Sequence, residues 1–281
     1  MNQDWESKLM TFEEYAGKKH DPVYVFNIEF GTKKVMYFGA EHSLNPESPM
    51  FSRIEEEFKK ADPQIVFVEG MYFSQGGKER AIEKYKNTNR ESVIKNHGES
   101  VYVFKLATDA GIEVDSPEST YKDEIDSLIE KGFSKEEIFC FYGYRQINGL
   151  HRLTDKSKFT EELTRYISIF QRDSQWKDFD YSVEHLEKIG KSVWGKTRGD
   201  IMTNDGYRTT PVPPPDKKLF TIINRINQEV THFRDCNVVR RIVEALKTHD
   251  RLFIIFGSTH AVMQEPALRY LAESYDKEEI G

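Results

Sequence analysis

Two short runs constrain this chain more than any other feature: Ile65-Val-Phe-Val68 and Leu252-Phe-Ile-Ile-Phe256. Both are continuous apolar segments of strand length, without the polar alternation of a strand that faces water on one side. Such runs belong to strands covered on both faces, as in sheets with helices packed above and below. Val23-Tyr-Val-Phe-Asn-Ile-Glu-Phe30 and Lys34-Val-Met-Tyr-Phe38 are separated by Gly31, which predicts a hairpin entering the same sheet. Ser48 to Ala61 carries Phe51, Ile54 and Phe58 at helical spacing, with Ser48 or Ser52 as N-cap. A helix from about Ser100 to Ala110 then leads through Gly111 to a short strand, Ile112 to Asp115, broken by Pro117. Strand and helix signals in alternation predict an α/β fold: a central mixed β-sheet flanked by helices.

The middle of the chain differs. From about 118 to 194 acidic positions (Glu124, Glu130, Glu136, Glu137) interleave with Ile125, Leu128, Ile129 and Ile138, the pattern of a helical insertion. Residues 195–215 form a loop rich in Gly and Pro, long enough to be a candidate lid or substrate contact. Asp216 then caps a helix running to about Thr248, the strand 252–256 follows, and Ala261 to Tyr275 closes as a helix.

Composition narrows the function classes. With 40 basic against 47 acidic residues the net charge is −7, and no basic stripe is present, which argues against a general nucleic-acid binder. No apolar run approaches the roughly 20 residues of a membrane span. The chain opens without a signal-peptide pattern, and its two cysteines, Cys140 and Cys236, lie outside any metal-ligand spacing. A reducing, cytoplasmic setting is expected.

Two strands near opposite ends of the chain finish alike, Met36-Tyr-Phe-Gly39-Ala-Glu-His42 and Ile254-Ile-Phe-Gly257-Ser-Thr-His260. Each is an apolar strand followed by Gly-x-x-His, where glycine permits a sharp turn at the carboxyl edge of the strand. The third strand ends in Glu69-Gly70. If the three are parallel neighbours, His42, Glu69 and His260 converge where ligand sites form in open α/β sheets. In the long C-terminal helix, Leu219, Ile222, Ile223, Ile226, Val230 and Phe233 make one apolar stripe, with Arg234 on its flank and Asn237 near its centre. Beyond them the apolar residues shift to another face, and Arg234 there can be aimed at a carboxylate or an anionic intermediate.

The paired Gly-x-x-His motifs, Glu69, and the Arg234-Asp-x-Asn segment before the last strand resemble the TraB/PrgY/TIKI superfamily, the broad group that includes the erythromycin-esterase-like and ChaN-like proteins. The resemblance covers about 22–117 and 216–275. It implies a single α/β domain built from those two segments, with a helical insertion at about 118–194 and the loop 195–215. Members include metal-dependent proteases, macrolide esterases that activate water with a histidine, and haem-binding proteins. Carried over to this chain, His42 and His260 match the motif histidines, Glu69 the acidic residue and Arg234 the arginine. Glu41 resembles the acidic residue near the first histidine of the esterase branch. Tyr142-Gly-Tyr-Arg145 is similar to a Tyr-x-x-Arg element of the helical region, so Tyr142, Arg145 and Asn237 are candidate substrate contacts.

The reading that follows is a hydrolase that cleaves an ester or amide bond of a small molecule or peptide. His42 is the general base, Glu69 orients it, and His260 with Arg234 stabilises the oxyanion. No Gly-x-Ser-x-Gly elbow occurs and neither cysteine follows a strand end, which favours activated water over an acyl-enzyme. The same His42, Glu69 and His260 also read as a ligand set for zinc or manganese. The alternative is a haem- or small-ligand-binding protein of the ChaN type, with His42 or Tyr142 as axial ligand.

Overall fold

A computed structural model describes residues 3–73, 76–150, 156–196, 210–213 and 220–279. Most of the expected lid, the helix cap Asp216 and Leu219 of the apolar stripe lie outside these residues. The chain divides into a sheet unit, Met1–Glu118 with Asp235–Gly281, and a helical unit, Ser119–Arg234.

The sheet unit holds five strands, β1 (Tyr24–Phe30), β2 (Lys33–Ala40), β3 (Ile65–Val68), β4 (Glu113–Asp115) and β5 (Arg251–Gly257), in the order β1-β2-β5-β3-β4. Only the β1–β2 pair is antiparallel, so the sheet is mixed. The expected hairpin turns on Gly31 at φ +60°, a backbone region that glycine enters without steric penalty. The unit's first helices are α1 (Phe12–Ala16), α2 (Pro49–Ala61), α3 (Gly77–Tyr85) and α4 (Arg90–Asp109).

The apolar runs are buried on both faces for the expected reason. Tyr37, Leu252, Ile254 and Phe256 point to one side, into a core completed by the C-terminal helices. Met36, Phe38, Phe253 and Ile255 point to the other, against Phe51 and Ile54 of α2 and Val103 and Phe104 of α4. Each fully buried side chain of this size stabilises the fold by roughly 1.5–3 kcal/mol. Because β2 leads into a helix on one face and β5 into a helix on the other, the carboxyl ends of β2, β5 and β3 border a topological switch point.

The helical unit contains α5 (Tyr121–Glu130), α6 (Lys135–Leu150), α7 (Phe159–Ser174) and α8 (Val183–Ile189), and no strand among its described residues. Its core gathers Phe139, Phe141, Leu163, Ile167 and Phe170. This unit reaches Arg234, well beyond the expected boundary at 194. The reason lies in α9 (Ile222–Ala245), which is followed after β5 by α10 (Ser258–Glu279). Ile223, Ile226 and Val230 of α9 belong to the helical core, whereas Val238, Val239 and Ile242 belong to the sheet core. The shift of the apolar face past Asn237 therefore marks a change of core along one continuous helix.

Candidate functional site

β2, β5 and β3 are parallel neighbours, and they bring His42, Glu69 and His260 to one edge of the sheet unit. The two Gly-x-x-His motifs nevertheless play different parts. In the β2–β5 register Gly39 faces Phe256 and Ala40 faces Gly257, so the motifs are offset by one residue and their glycines lie on opposite faces. His42 follows β2 in a loop, whereas α10 begins directly after Gly257 and carries His260 in its first turn.

Neither motif glycine adopts the left-handed backbone, so the expected sharp turn is not what they supply. Both are needed for close approach. A Cβ on Gly39 would stand 2.6 Å from the Tyr24 carbonyl oxygen and 2.7 Å from Cβ of Ala261, so its absence lets the first turns of α10 settle against the sheet. A Cβ on Gly257 would stand 3.2 Å from Nε2 of His42 and 3.5 Å from Oε2 of Glu69. That glycine keeps open the ground between the two side chains.

Each histidine is held from behind by a carboxylate. His42 Nδ1 lies 2.6 Å from Oε1 of Glu99, and His260 Nδ1 lies 2.6 Å from Oδ1 of Asp235. A carboxylate only accepts, so both Nδ1 atoms carry the proton. Glu69 stands between them: its Oε2 accepts the Gly257 N–H at 2.6 Å, and its Oε1 is 3.7 Å from Nε2 of His260. The order along the edge is Glu99, His42, Glu69, His260, Asp235.

The orienting carboxylates are deeply placed. Glu99 is 5% exposed and Asp235 1%, whereas the His42 side chain is 72% exposed. Glu99 reaches its post because α4 is broken at Gly98, where φ +76° and ψ −160° interrupt the helix and start a second segment at Glu99. Its other oxygen accepts the Ser43 N–H. Asp235 also accepts from Nε2 of Gln264 at 2.7 Å, and Gln264 Oε1 accepts from the buried Tyr37 hydroxyl at 2.8 Å. The hydrogen bond that His42 donates to Glu99 raises the His42 pKa above its ordinary 6.5, opposed by burial and reinforced by the charges of Glu99 and Glu69.

The other expected residues have other surroundings. The carboxylate that orients His42 is Glu99, while Glu69 sits across from it. Glu41 is exposed on the loop before His42. Asn237 donates from Nδ2 to the Pro117 carbonyl at 2.7 Å, fastening α9 to the chain beyond β4. Tyr142, Arg145 and Arg234 belong to the helical unit, around the buried carboxyl of Glu124. Tyr142 donates its hydroxyl to Glu124 at 2.7 Å, and Ser119 donates to the other oxygen. Burial holds Tyr142 well above its usual pKa, which opposes the phenolate that an axial haem ligand needs. Tyr142 also lines a cavity of about 70 Å³ with Tyr121, Phe139, Tyr166 and Phe170.

His42, Glu69 and His260 do not fit a metal. Among the described residues no group of three or more His, Cys, Asp or Glu is placed to hold an ion. Glu69 already commits one oxygen to a backbone N–H. No described helix is long and apolar enough to cross a membrane. No protein-family model, curated protein or solved structure matches the chain.

Proposed function

We propose that this protein is a hydrolase of the TraB/TIKI/erythromycin-esterase kind, which cleaves an ester or amide bond with water activated by His42. The observation that carries this reading is the pair of carboxylate-backed histidines facing Glu69 at a switch point of the sheet. With Nδ1–H held by Glu99, Nε2 of His42 takes a proton from water as the oxygen bonds to the substrate carbonyl carbon. His260 is flanked by Asp235 at 2.6 Å and Glu69 at 3.7 Å. It stabilises the developing oxyanion and protonates the leaving oxygen or nitrogen as the bond to carbon breaks. Proton exchange with solvent resets the two rings.

The test is hydrolysis of chromogenic esters and fluorogenic peptides by the wild-type protein and by His42→Ala, Glu69→Gln and His260→Ala. A general base contributes about 10²- to 10⁴-fold, so His42→Ala is expected to lose that much kcat/KM while remaining folded by circular dichroism. Hydrolysis that survives His42→Ala undiminished would overturn the assignment.

A further inference from the structure

His260 and Gln264 stand four residues apart on α10, so both side chains leave the same face of the helix. Both end on Asp235 of α9, and on the same oxygen: Oδ1 lies 2.6 Å from Nδ1 of His260 and 2.7 Å from Nε2 of Gln264. On its other side Gln264 meets β2, where the Tyr37 hydroxyl stands 2.8 Å from Oε1. Tyr37 and Gln264 are fully buried, and Asp235 is nearly so.

The carboxylate sets the direction of every bond in this chain. It only accepts, so the Gln264 amide presents its NH2 group to Asp235 and its carbonyl to Tyr37, whose hydroxyl donates. A carboxylate oxygen has two lone pairs. Gln264 takes one of those on Oδ1, which leaves a single direction for the His260 N–H. The carboxylate is thereby held against rotation, and the imidazole with it, in the orientation that sets Nε2 of His260 3.7 Å from Oε1 of Glu69.

The surroundings are apolar. Tyr37 is stacked on Phe26 at 5.0 Å and lies against Phe256 in the sheet core. An amide and a carboxylate are costly to bury in such a place, whereas apolar side chains of the same size are not. What the polar chain supplies is a fixed direction for the ring. We infer that Gln264 and Tyr37 are positioning residues that hold Asp235 and through it aim the imidazole of His260 at the strand-end site, a role that rests on the hydrolase reading for the chemistry of His260 and on the buried hydrogen bonds for its aim.

The experiment compares the wild-type protein with Gln264→Met, Tyr37→Phe and Leu271→Ala by NMR of the histidine ring nitrogens at alkaline pH, by thermal unfolding and by ester hydrolysis; His42→Ala and His260→Ala assign the ring signals. A neutral ring locked with its proton on Nδ1 gives two widely separated nitrogen shifts, and a ring that exchanges between tautomers gives two that converge. In Gln264→Met the His260 pair is expected to converge, while the His42 pair, held by Glu99, stays apart. In the same variant kcat falls about tenfold or more at nearly unchanged KM, the loss of a hydrogen bond to a charged group. Tyr37→Phe keeps the bond from Gln264 to Asp235 and loosens only the amide, so it converges the pair by less; it carries the test if Gln264→Met does not fold. Leu271→Ala loosens the same core from the same helix, and is expected to lower the unfolding temperature with both ring pairs unchanged. A His260 pair already converged in the wild type, one that stays apart in Gln264→Met, or one that converges equally in Leu271→Ala overturns the inference, as does an unchanged kcat. If the wild type hydrolyses no ester, the ring shifts alone decide whether Gln264 and Tyr37 aim His260, and the hydrolase reading fails separately.

Discussion

A histidine is only as useful as the group behind it, and at this edge the groups behind are Glu99 and Asp235. A hydrogen bond to a charged group is worth about 1.5–3 kcal/mol, so Glu99→Gln is expected to lower kcat/KM by roughly 10- to 150-fold. Its signature is the pH profile. In the proposed hydrolysis His42 must be neutral to act as base, and its raised pKa puts the acid limb above 6.5 in the wild type. Loss of the Glu99 charge moves that limb to lower pH, and a merely structural role for Glu99 would leave it in place. The linked stability has the opposite sense: the His42–Glu99 pair is fully stabilising below pH 6.5 and loses that contribution as pH rises through the raised pKa. The convergence of His42, Glu69 and His260 on one edge was legible in the sequence because each follows an apolar strand. Glu99 was not, since it hides inside a helical stretch far from any strand end. Asp235 was adjacent to the signal, in the segment that drew attention to Arg234, but a carboxylate beside an arginine on a helix reads as surface charge until its burial is known.

At the scale of elements, the two motif glycines separate the packing of a helix from the proposed site. Gly39→Ala sets a methyl group against the Tyr24 carbonyl and Ala261, and overpacking of this kind costs about 1–3 kcal/mol. Gly257→Ala intrudes instead on His42 and Glu69. Thermal denaturation is expected to penalise the first variant more, and ester hydrolysis the second; the reverse order would contradict the packing described. The break in α4 is a comparable device, because Gly98→Ala must hold an alanine at φ +76°, a conformation L side chains rarely adopt. Periodicity located the helix after Ser100 but not the segment from Arg90 to His97, since an interior glycine lowers helical propensity without announcing the direction in which the chain is bent.

For the molecule as a whole, two units imply two reporters. Trp5 packs in the sheet core, and Trp176 and Trp194 in the helical one. Phe139→Ala removes a fully buried ring from the helical core, a change worth about 3–5 kcal/mol. In single-reporter variants, fluorescence from Trp176 and Trp194 is expected to be lost at a lower denaturant concentration than before, with a smaller shift at Trp5; equal shifts would show that the units unfold together. The helical unit has its own titration. Burial raises the pKa of Glu124 from 4.5, so its contribution to stability declines as pH climbs from that value through the raised one, and Glu124→Gln should flatten this slope in urea titrations. The insertion was legible from its charged helical pattern, whereas its end was not, because α9 serves both cores without interruption. The strand order also fixes a timetable for synthesis. β5, the strand between β2 and β3, is made of residues 251–257, so a ribosome that has delivered both outer pairs and the entire helical unit has still not supplied the strand that joins them. Until then the facing edges of β2 and β3 are unpaired, and the nascent chain in that interval is where chaperone capture or misassociation is expected to concentrate.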